Sequence, residues 1–122
     1  MREQLMIQTD RVYQIQRTAQ GVVCTVNEGT ALSRPLPLRL DLWNHSPTGF
    51  EFGYGGSGPA QLALAILADC CGDEVAVSFH QAFKWEVIAR IPGPGASLTG
   101  TFVRDVLARL QLQRAAQDCH NN

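Results

Sequence analysis

Apolar and polar side chains alternate along the first quarter of the chain, and this alternation predicts β-strands. Residues 11–17 place Tyr13 and Ile15 on one face of an extended segment, as expected for a strand with one buried face. Residues 22–26 are rich in β-branched side chains, which favour strands. Because the turn-forming pair Gln20-Gly21 separates the two segments, we expect an antiparallel hairpin.

Two further extended segments follow before the pattern changes. In residues 34–42 leucine recurs at every second position, but two prolines stand in the first half. Proline cannot donate a hydrogen bond to a neighbouring strand, so we expect an edge strand or an unpaired extended segment there. After a loop over residues 43–49, the sequence Phe-Glu-Phe at 50–52 predicts a short central strand.

The pattern becomes helical from residue 60. Residues 60–71 are apolar nearly all round, which is typical of a helix buried on several sides, and Gly72 ends that helix. A second helix is expected over 74–91 and, after a loop over 92–97, a last helix follows. Strands first and helices after predict an α+β fold, with an N-terminal antiparallel sheet of three or four strands packed against two or three C-terminal helices.

Length and composition place the chain among ordinary globular domains. Its 122 residues suffice for a single domain over 1–122, with 1–9 and 113–122 as loose ends. The net charge of −1 supplies no field that would draw the protein to bulk nucleic acid or to an anionic membrane. No apolar run is long enough to span a membrane, and the first residues lack a signal-peptide pattern. We therefore expect a cytoplasmic protein.

The four cysteines indicate reduced thiols rather than a metal centre. None of them forms a Cys-x-x-Cys pair, the usual spacing of zinc ligands. The adjacent Cys70 and Cys71 diverge by about 100° on a helix, so they do not share a metal easily. The histidines show no metal-ligand spacing either. The sequence thus indicates neither a metal nor a cofactor.

A glycine-rich stretch joins the predicted strand over 50–52 to the first buried helix. Four glycines fall within residues 53–58, and Pro59 suits the first helical position with Ser57 or Gly58 as its cap. Successive N–H groups in such a turn, with the partial positive charge of a helix N-terminus, suit a phosphate or a carboxylate. The stretch matches neither the P-loop nor the dinucleotide-binding pattern. The alternative is a purely structural turn in which glycine permits close packing.

Polar, basic and aromatic residues near this stretch are the candidate ligand contacts. One or two of Arg17, Arg34 and Arg39 are expected to contribute, because a guanidinium binds phosphate or carboxylate through a planar fork. Trp85 either covers the turn or lies in the core. The predicted ligand-binding residues are His45, Tyr54, Gly55, Gly56, Ser57, Gly58, Arg39 and Trp85.

Two polar residues on the predicted helices, Asp69 and His80, are expected to have structural roles. Asp69 lies on the otherwise apolar first helix, and because an unpaired buried carboxylate is costly, we expect it to face water or to pair with an arginine such as Arg39 or Arg17. His80 lies next to the apolar stripe of the second helix and is expected to be a partly buried structural residue rather than a ligand.

The stretch from His45 to Leu64 resembles the DUF6166 family, small bacterial and phage proteins with no assigned activity. Residues 83–89 and 98–100 are similar to the second half of that family, and the likeness runs from about Val12 to Leu107. Phe52 stands where relatives often carry tryptophan, so a pocket lined by that position would have a different shape here. The occurrence of the family in phages implies binding or sequestration of a nucleotide signal as one hypothesis.

Three functions are compatible with these residues. The first is a non-catalytic binding module for an anionic small molecule, phosphate- or nucleotide-like, at the glycine-rich turn. The second is a protein-interaction or regulatory subunit, phage-related by the same resemblance, whose rigid turn presents Trp43 and Trp85. The third is a small enzyme using His45 and Glu51, although no acid–base pair here has a recognised spacing. A homo-oligomer is compatible with a proline-bearing edge strand and a very apolar helix.

Overall fold

The structure is a computed structural model that describes the backbone of residues 10–121 and the side chains of residues 10–119. Residues 1–9, expected to be loose, lie outside the described residues. Four antiparallel strands form one sheet in the order β3-β2-β1-β4, and three helices follow the first three strands, which confirms the α+β arrangement. The elements are β1 (Val12–Thr18), β2 (Gly21–Asn27), β3 (Ser33–Pro35), α1 (Ser57–Cys71), α2 (Asp73–Glu86), a 3₁₀ turn (Ile88–Arg90), β4 (Gly95–Thr99) and α3 (Gly100–Asn121).

The predicted hairpin of β1 and β2 forms the centre of the sheet. Tyr13 is opposite Val26 and Ile15 is opposite Cys24, and these four side chains are buried. They lie on the face of the sheet that the helices cover. The alternation of apolar and polar side chains therefore indicated the correct face of each strand.

Strand β4 was not predicted, because its residues were assigned to a loop over 92–97 and to the start of the last helix. In the structure, residues 95–99 pair antiparallel with β1 along its free edge. The strand contains one large apolar side chain, Leu98, together with small residues. It therefore lacks the β-branched and aromatic enrichment by which a strand is recognised.

The prediction of a central strand over 50–52 is wrong, although the alternating burial of the side chains there was predicted correctly. Phe50 makes one isolated bridge with Val22, and Phe50 and Phe52 are both buried. Of the segment predicted over 34–42, only Arg34 and Pro35 lie in β3, which pairs with β2. The chain turns at Arg39, whose φ of 60° is left-handed, so the leucines there do not share one face.

The helices differ from the predicted ones at their ends. Helix α1 begins at Ser57 with Gly56 as its N-cap, so neither Ser57 nor Gly58 is the cap. Helix α2 ends at Glu86 because Val87, with φ −123° and ψ −60°, leaves the helical region. Helix α3 continues to Asn121 through the segment expected to be a loose end from residue 113. None of the helices in the described part of the chain has the length and apolar character to cross a bilayer.

Asp69 connects the end of α1 to the sheet. Its carboxylate accepts a hydrogen bond from the Tyr13 hydroxyl at 2.7 Å and forms ion pairs with Arg11 at 3.2 Å and Arg34 at 2.8 Å. Asp69 is therefore paired with arginine as expected, but with residues of the sheet rather than with Arg39 or Arg17. The sequence could not select between arginines because the choice depends on which strands pack beneath the helix end.

Substituting Asp69→Asn should lower the free energy of unfolding by about 2–4 kcal/mol, because it leaves two arginines beside a neutral amide in a half-buried site. Urea denaturation followed by circular dichroism measures this. The matched control is Asp105→Asn on the exposed side of α3, which should change the free energy of unfolding by less than about 0.5 kcal/mol. Equal effects of the two substitutions would contradict a role for Asp69 in joining α1 to the sheet.

Candidate functional site

A buried glutamine holds the long loop before the glycine-rich turn. Gln61 lies in the first turns of α1 and is fully buried. Its Oε1 accepts hydrogen bonds from the backbone N–H groups of His45 and Ser46 at 2.8 and 2.9 Å. Its Nε2 donates to the carbonyl oxygens of Leu38 and Trp43 at 2.7 and 3.0 Å. One side chain therefore fixes the path of the loop from residue 38 to residue 46.

This loop brings His45 against His80 of α2. Their Nε2 atoms lie 2.9 Å apart, and Nδ1 of His80 lies 2.9 and 3.0 Å from the carbonyl oxygens of Ala76 and Val77. Because carbonyl oxygens only accept, Nδ1 of His80 carries a hydrogen and its Nε2 is the acceptor when the ring is neutral. His45 therefore donates through Nε2, and its ring stacks on Trp43 with centroids 5.2 Å apart.

Protonation of His45 is disfavoured by its surroundings. Burial, with the nearby charges of His80 and Lys84, lowers the pKa of His45 below its ordinary value of 6.5. Desolvation and like charge both act against the imidazolium form. His45 is thus held mainly in its neutral form near pH 7.

The glycines of residues 53–58 serve different purposes. Gly53 has a φ of 91°, which favours glycine, and its N–H donates to the carbonyl oxygen of Ile88 at 3.0 Å. At Gly55 an added Cβ would collide with the ring of Trp85, and at Gly58 it would lie 2.6 Å from Cβ of Glu51. Close packing therefore requires glycine at positions 55 and 58, as expected if the turn has a structural role.

The turn also leaves a run of backbone donors without acceptors. Within the described residues, the N–H groups of 54–58 make no hydrogen bond to the protein, and helix α1 has no side-chain cap and no acidic residue in its first turn. By contrast, the first turn of α3 is capped by Asp10, which accepts from the Thr101 N–H at 2.8 Å. Helix N-termini normally satisfy such donors with side chains, water or a ligand.

Lys84 lies against the same turn. Its ammonium donates to the carbonyl oxygen of Gly55 at 3.1 Å and lies 4.5 Å from the ring centroid of Trp85. The residue is only 6% exposed, and it is the chain's one lysine. Among the described residues no carboxylate lies within ion-pair distance of it. A buried cation with one carbonyl partner retains two N–H donors for another acceptor.

Exposed aromatic rings border the glycine-rich turn. Trp85 packs over Gly55, Tyr54 packs over Gly56, and these two rings are 58% and 52% exposed. Trp43, on the loop with His45, is 48% exposed. Large exposed aromatics of this kind are typical of surfaces that stack on a ligand or a partner.

The arginines considered from the sequence are engaged elsewhere. Arg39 pairs with Asp41 and Asp73, each at 3.0 Å, and Arg34 pairs with Glu28 and Asp69, each at 2.8 Å. Arg17 pairs with Glu51 at 3.0 Å and covers the Phe52 ring. The structure gives Arg39 no contact with the turn, so its assignment as a ligand-binding residue stays a prediction without support.

Three residues of this site were not selected from the sequence. Gln61 was not singled out on the apolar first helix, His80 was interpreted as structural, and Lys84 was not proposed as a ligand contact. His80 and Lys84 are spaced i, i+4 on one helix, so they share a face. That spacing, with a single lysine in an arginine-rich chain, is the signal that could have indicated them.

Comparison with known proteins relates the chain to one family model. DUF6166, a family of unknown function, matches residues 13–111. No curated protein and no solved structure matches the chain.

Replacing Gln61 by Leu should lower the free energy of unfolding by about 2–4 kcal/mol, because four partly buried backbone groups lose their partner. Amide exchange at His45 and Ser46 should also become faster. Chemical denaturation and hydrogen-exchange NMR measure the two effects. Gln81→Leu on the exposed face of α2 is the control, and similar losses from both substitutions would contradict the role assigned to Gln61.

The free energy of unfolding should fall as pH decreases from 7.5 to 5.5. The pKa of His45 is lowered in the folded protein, whereas in the unfolded chain it is about 6.5. As the pH falls through about 6.5, the unfolded chain therefore binds the proton more readily than the folded protein, and the folded state loses stability. Urea denaturation across this range measures the slope. His45→Gln should make the slope shallower, whereas an unchanged slope would show that His45 does not titrate as described.

Proposed function

The chain belongs to the DUF6166 family, a family of unknown function, and we propose that it is a non-catalytic binding module for a phosphate-bearing small molecule. The ligand binds at the glycine-rich turn, with its phosphate at the amides of residues 54–58. Lys84 supplies the positive charge, and Tyr54 and Trp85 flank an aromatic base. A nucleoside monophosphate has both of these parts and is the simplest ligand of this kind.

The state of Lys84 is the observation that carries this proposal. An ammonium group removed from water is costly unless it is paired with a counter-charge. Among the described residues, buried Lys84 has one hydrogen-bond partner, the Gly55 carbonyl oxygen, and no carboxylate partner. A bound phosphate would supply the missing counter-charge. Its hydrogen bonds with the ammonium would be charge-assisted, which makes them stronger than those between neutral groups.

The backbone of the turn supports the same ligand chemistry. Unpartnered N–H groups and the positive end of the α1 dipole both favour an anion over a neutral group. The other two helices have carboxylates of the protein at their N-termini, since Asp73 and Glu74 lie in the first turn of α2 and Asp10 caps α3. Ser57 is exposed at the start of α1 and adds a hydroxyl donor.

The exposed rings favour a phosphate that carries an aromatic group over a bare anion. Base–aromatic stacking contributes about 1–3 kcal/mol per base, and two half-exposed rings border the donors. Trp85 already contacts Lys84 on one side. Stacking on an exposed ring would add affinity without requiring specific hydrogen bonds to the base.

Isothermal titration calorimetry with AMP, inorganic phosphate and adenosine tests the proposal. We expect AMP to bind more tightly than phosphate and adenosine to bind weakest, because the phosphate supplies the charge and the base supplies only stacking. Lys84→Met keeps the length of the side chain and removes the charge, and should weaken AMP binding roughly 10- to 100-fold, the equivalent of one or two charge-assisted hydrogen bonds.

Arg109→Met is the matched control, because Arg109 is an exposed cation on α3 whose partner is Glu86. AMP affinity in that variant should stay within about twofold of the unmodified protein, since a surface cation contributes little. Absence of binding by both AMP and phosphate would contradict the proposal. Equal affinity in the Lys84→Met variant would contradict it as well.

The second candidate is a protein-interaction subunit, favoured by the exposure of Trp43, Tyr54 and Trp85. Interfaces are enriched in tryptophan and tyrosine at their most important contacts. A partner protein whose binding is lost with Trp85→Ala but unchanged with Lys84→Met would favour this function. The third candidate, an enzyme using His45 and Glu51, has less support because His45 contacts His80 whereas Glu51 pairs with Arg17.

A further inference from the structure

Strand β4 forms an edge of the sheet, and no other described residue pairs with the outer side of its backbone. The Gly100 N–H donates to the carbonyl oxygen of Arg11, and the Arg17 N–H donates to that of Pro94. Hydrogen-bonded pairs alternate along an antiparallel ladder, so with the observed register the backbone groups of Gly95, Ser97 and Thr99 point away from β1. Within the described part of the chain, the N–H groups of these three residues have no acceptor.

The two edges of the sheet differ in how they resist further pairing. The opposite edge, β3, has three residues that include Arg34 and Pro35. Short length, charge and proline are the usual means by which an edge strand avoids another strand. Strand β4 has five residues, Gly-Ala-Ser-Leu-Thr, with neither charge nor proline. Only β4 of the two therefore retains an edge suited to strand addition.

We propose that the β4 edge is a homodimer interface, where β4 of a second copy adds antiparallel and two sheets join into one of eight strands. A two-fold axis at Ser97 pairs Ser97 with Ser97 of the second copy, and Gly95 with Thr99. This register matches every outward-pointing residue of the strand with another. The interface is isologous, as in most soluble dimers.

The side chains of β4 can pack against those of β4 in a second copy of the chain. In this register Ala96 is opposite Leu98 of the second copy, so a small side chain meets a larger one on the face covered by the helices. No charged side chains oppose each other, which would be destabilising across a strand pair.

Sedimentation equilibrium at high micromolar concentration tests the dimer, because an interface built mainly on one strand pair falls in the small class, below about 1,200 Å². The unmodified protein should approach twice the monomer mass of 13.4 kDa. Ser97→Glu and Ser97→Lys should each be monomeric, because the axis places two like charges directly opposite each other. Mixing these two variants should restore the dimer as a heterodimer.

Ser97→Gln is the matched control, since it has the shape of the glutamate variant without the charge and should still dimerise. Circular dichroism and melting temperature verify that every variant is folded, and Ser97 is exposed, so all three side chains can extend into solvent. A monomeric unmodified protein would overturn the proposal. A dimer that persists in both charged variants would overturn it too, because the interface would then lie elsewhere.

Discussion

Helix α1 lacks a polar face, and the need to enclose it on every side determines the arrangement of the rest of the chain. The sheet covers one side, α2 and α3 cover others, and the loop of residues 38–46 closes the remainder. Gln61, the fully buried polar residue of this helix, must satisfy its amide inside the protein. It does so on the backbone of the loop, so the requirement that a buried amide be hydrogen-bonded is what brings His45 to His80.

The same helix explains why the candidate site lies at its N-terminus. The end at Cys71 is joined to the sheet through Asp69, whose charge is shared by Arg11, Arg34 and Tyr13. At the other end, the turn amides and Lys84 supply positive charge, and no carboxylate of the described residues lies within ion-pair distance of Lys84. Packing against Trp85 and Glu51 explains the glycines at positions 55 and 58. Charge is a separate feature of the same turn, because the ammonium of Lys84 contacts the Gly55 carbonyl oxygen and the Trp85 ring but pairs with no carboxylate among the described residues.

The periodicity of apolar residues predicted the parts of the fold that depend on burial. It failed where the structure depends on which distant segment or side chain a residue pairs with. The hairpin, the buried helix and the end of that helix at Gly72 follow from local patterns. Strand β4 was missed because small residues carry a weak strand signal and the pairing depends on the free edge of β1. At the site, the glycine-rich turn and its aromatic neighbours could be selected from composition. The pairing of His45 with His80 could not, because the two residues lie 35 positions apart in the sequence.

The central claim is that the amides of the turn and Lys84 together form an anion site. Its most direct test is a titration of the ¹⁵N-labelled protein with AMP, followed residue by residue in ¹H–¹⁵N correlation spectra. The account predicts that the amide signals of Gly55, Gly56, Ser57 and Gly58 shift in a saturable manner and that those of the β1–β2 hairpin do not. Unchanged signals at these four residues, whether or not other residues respond, would contradict it.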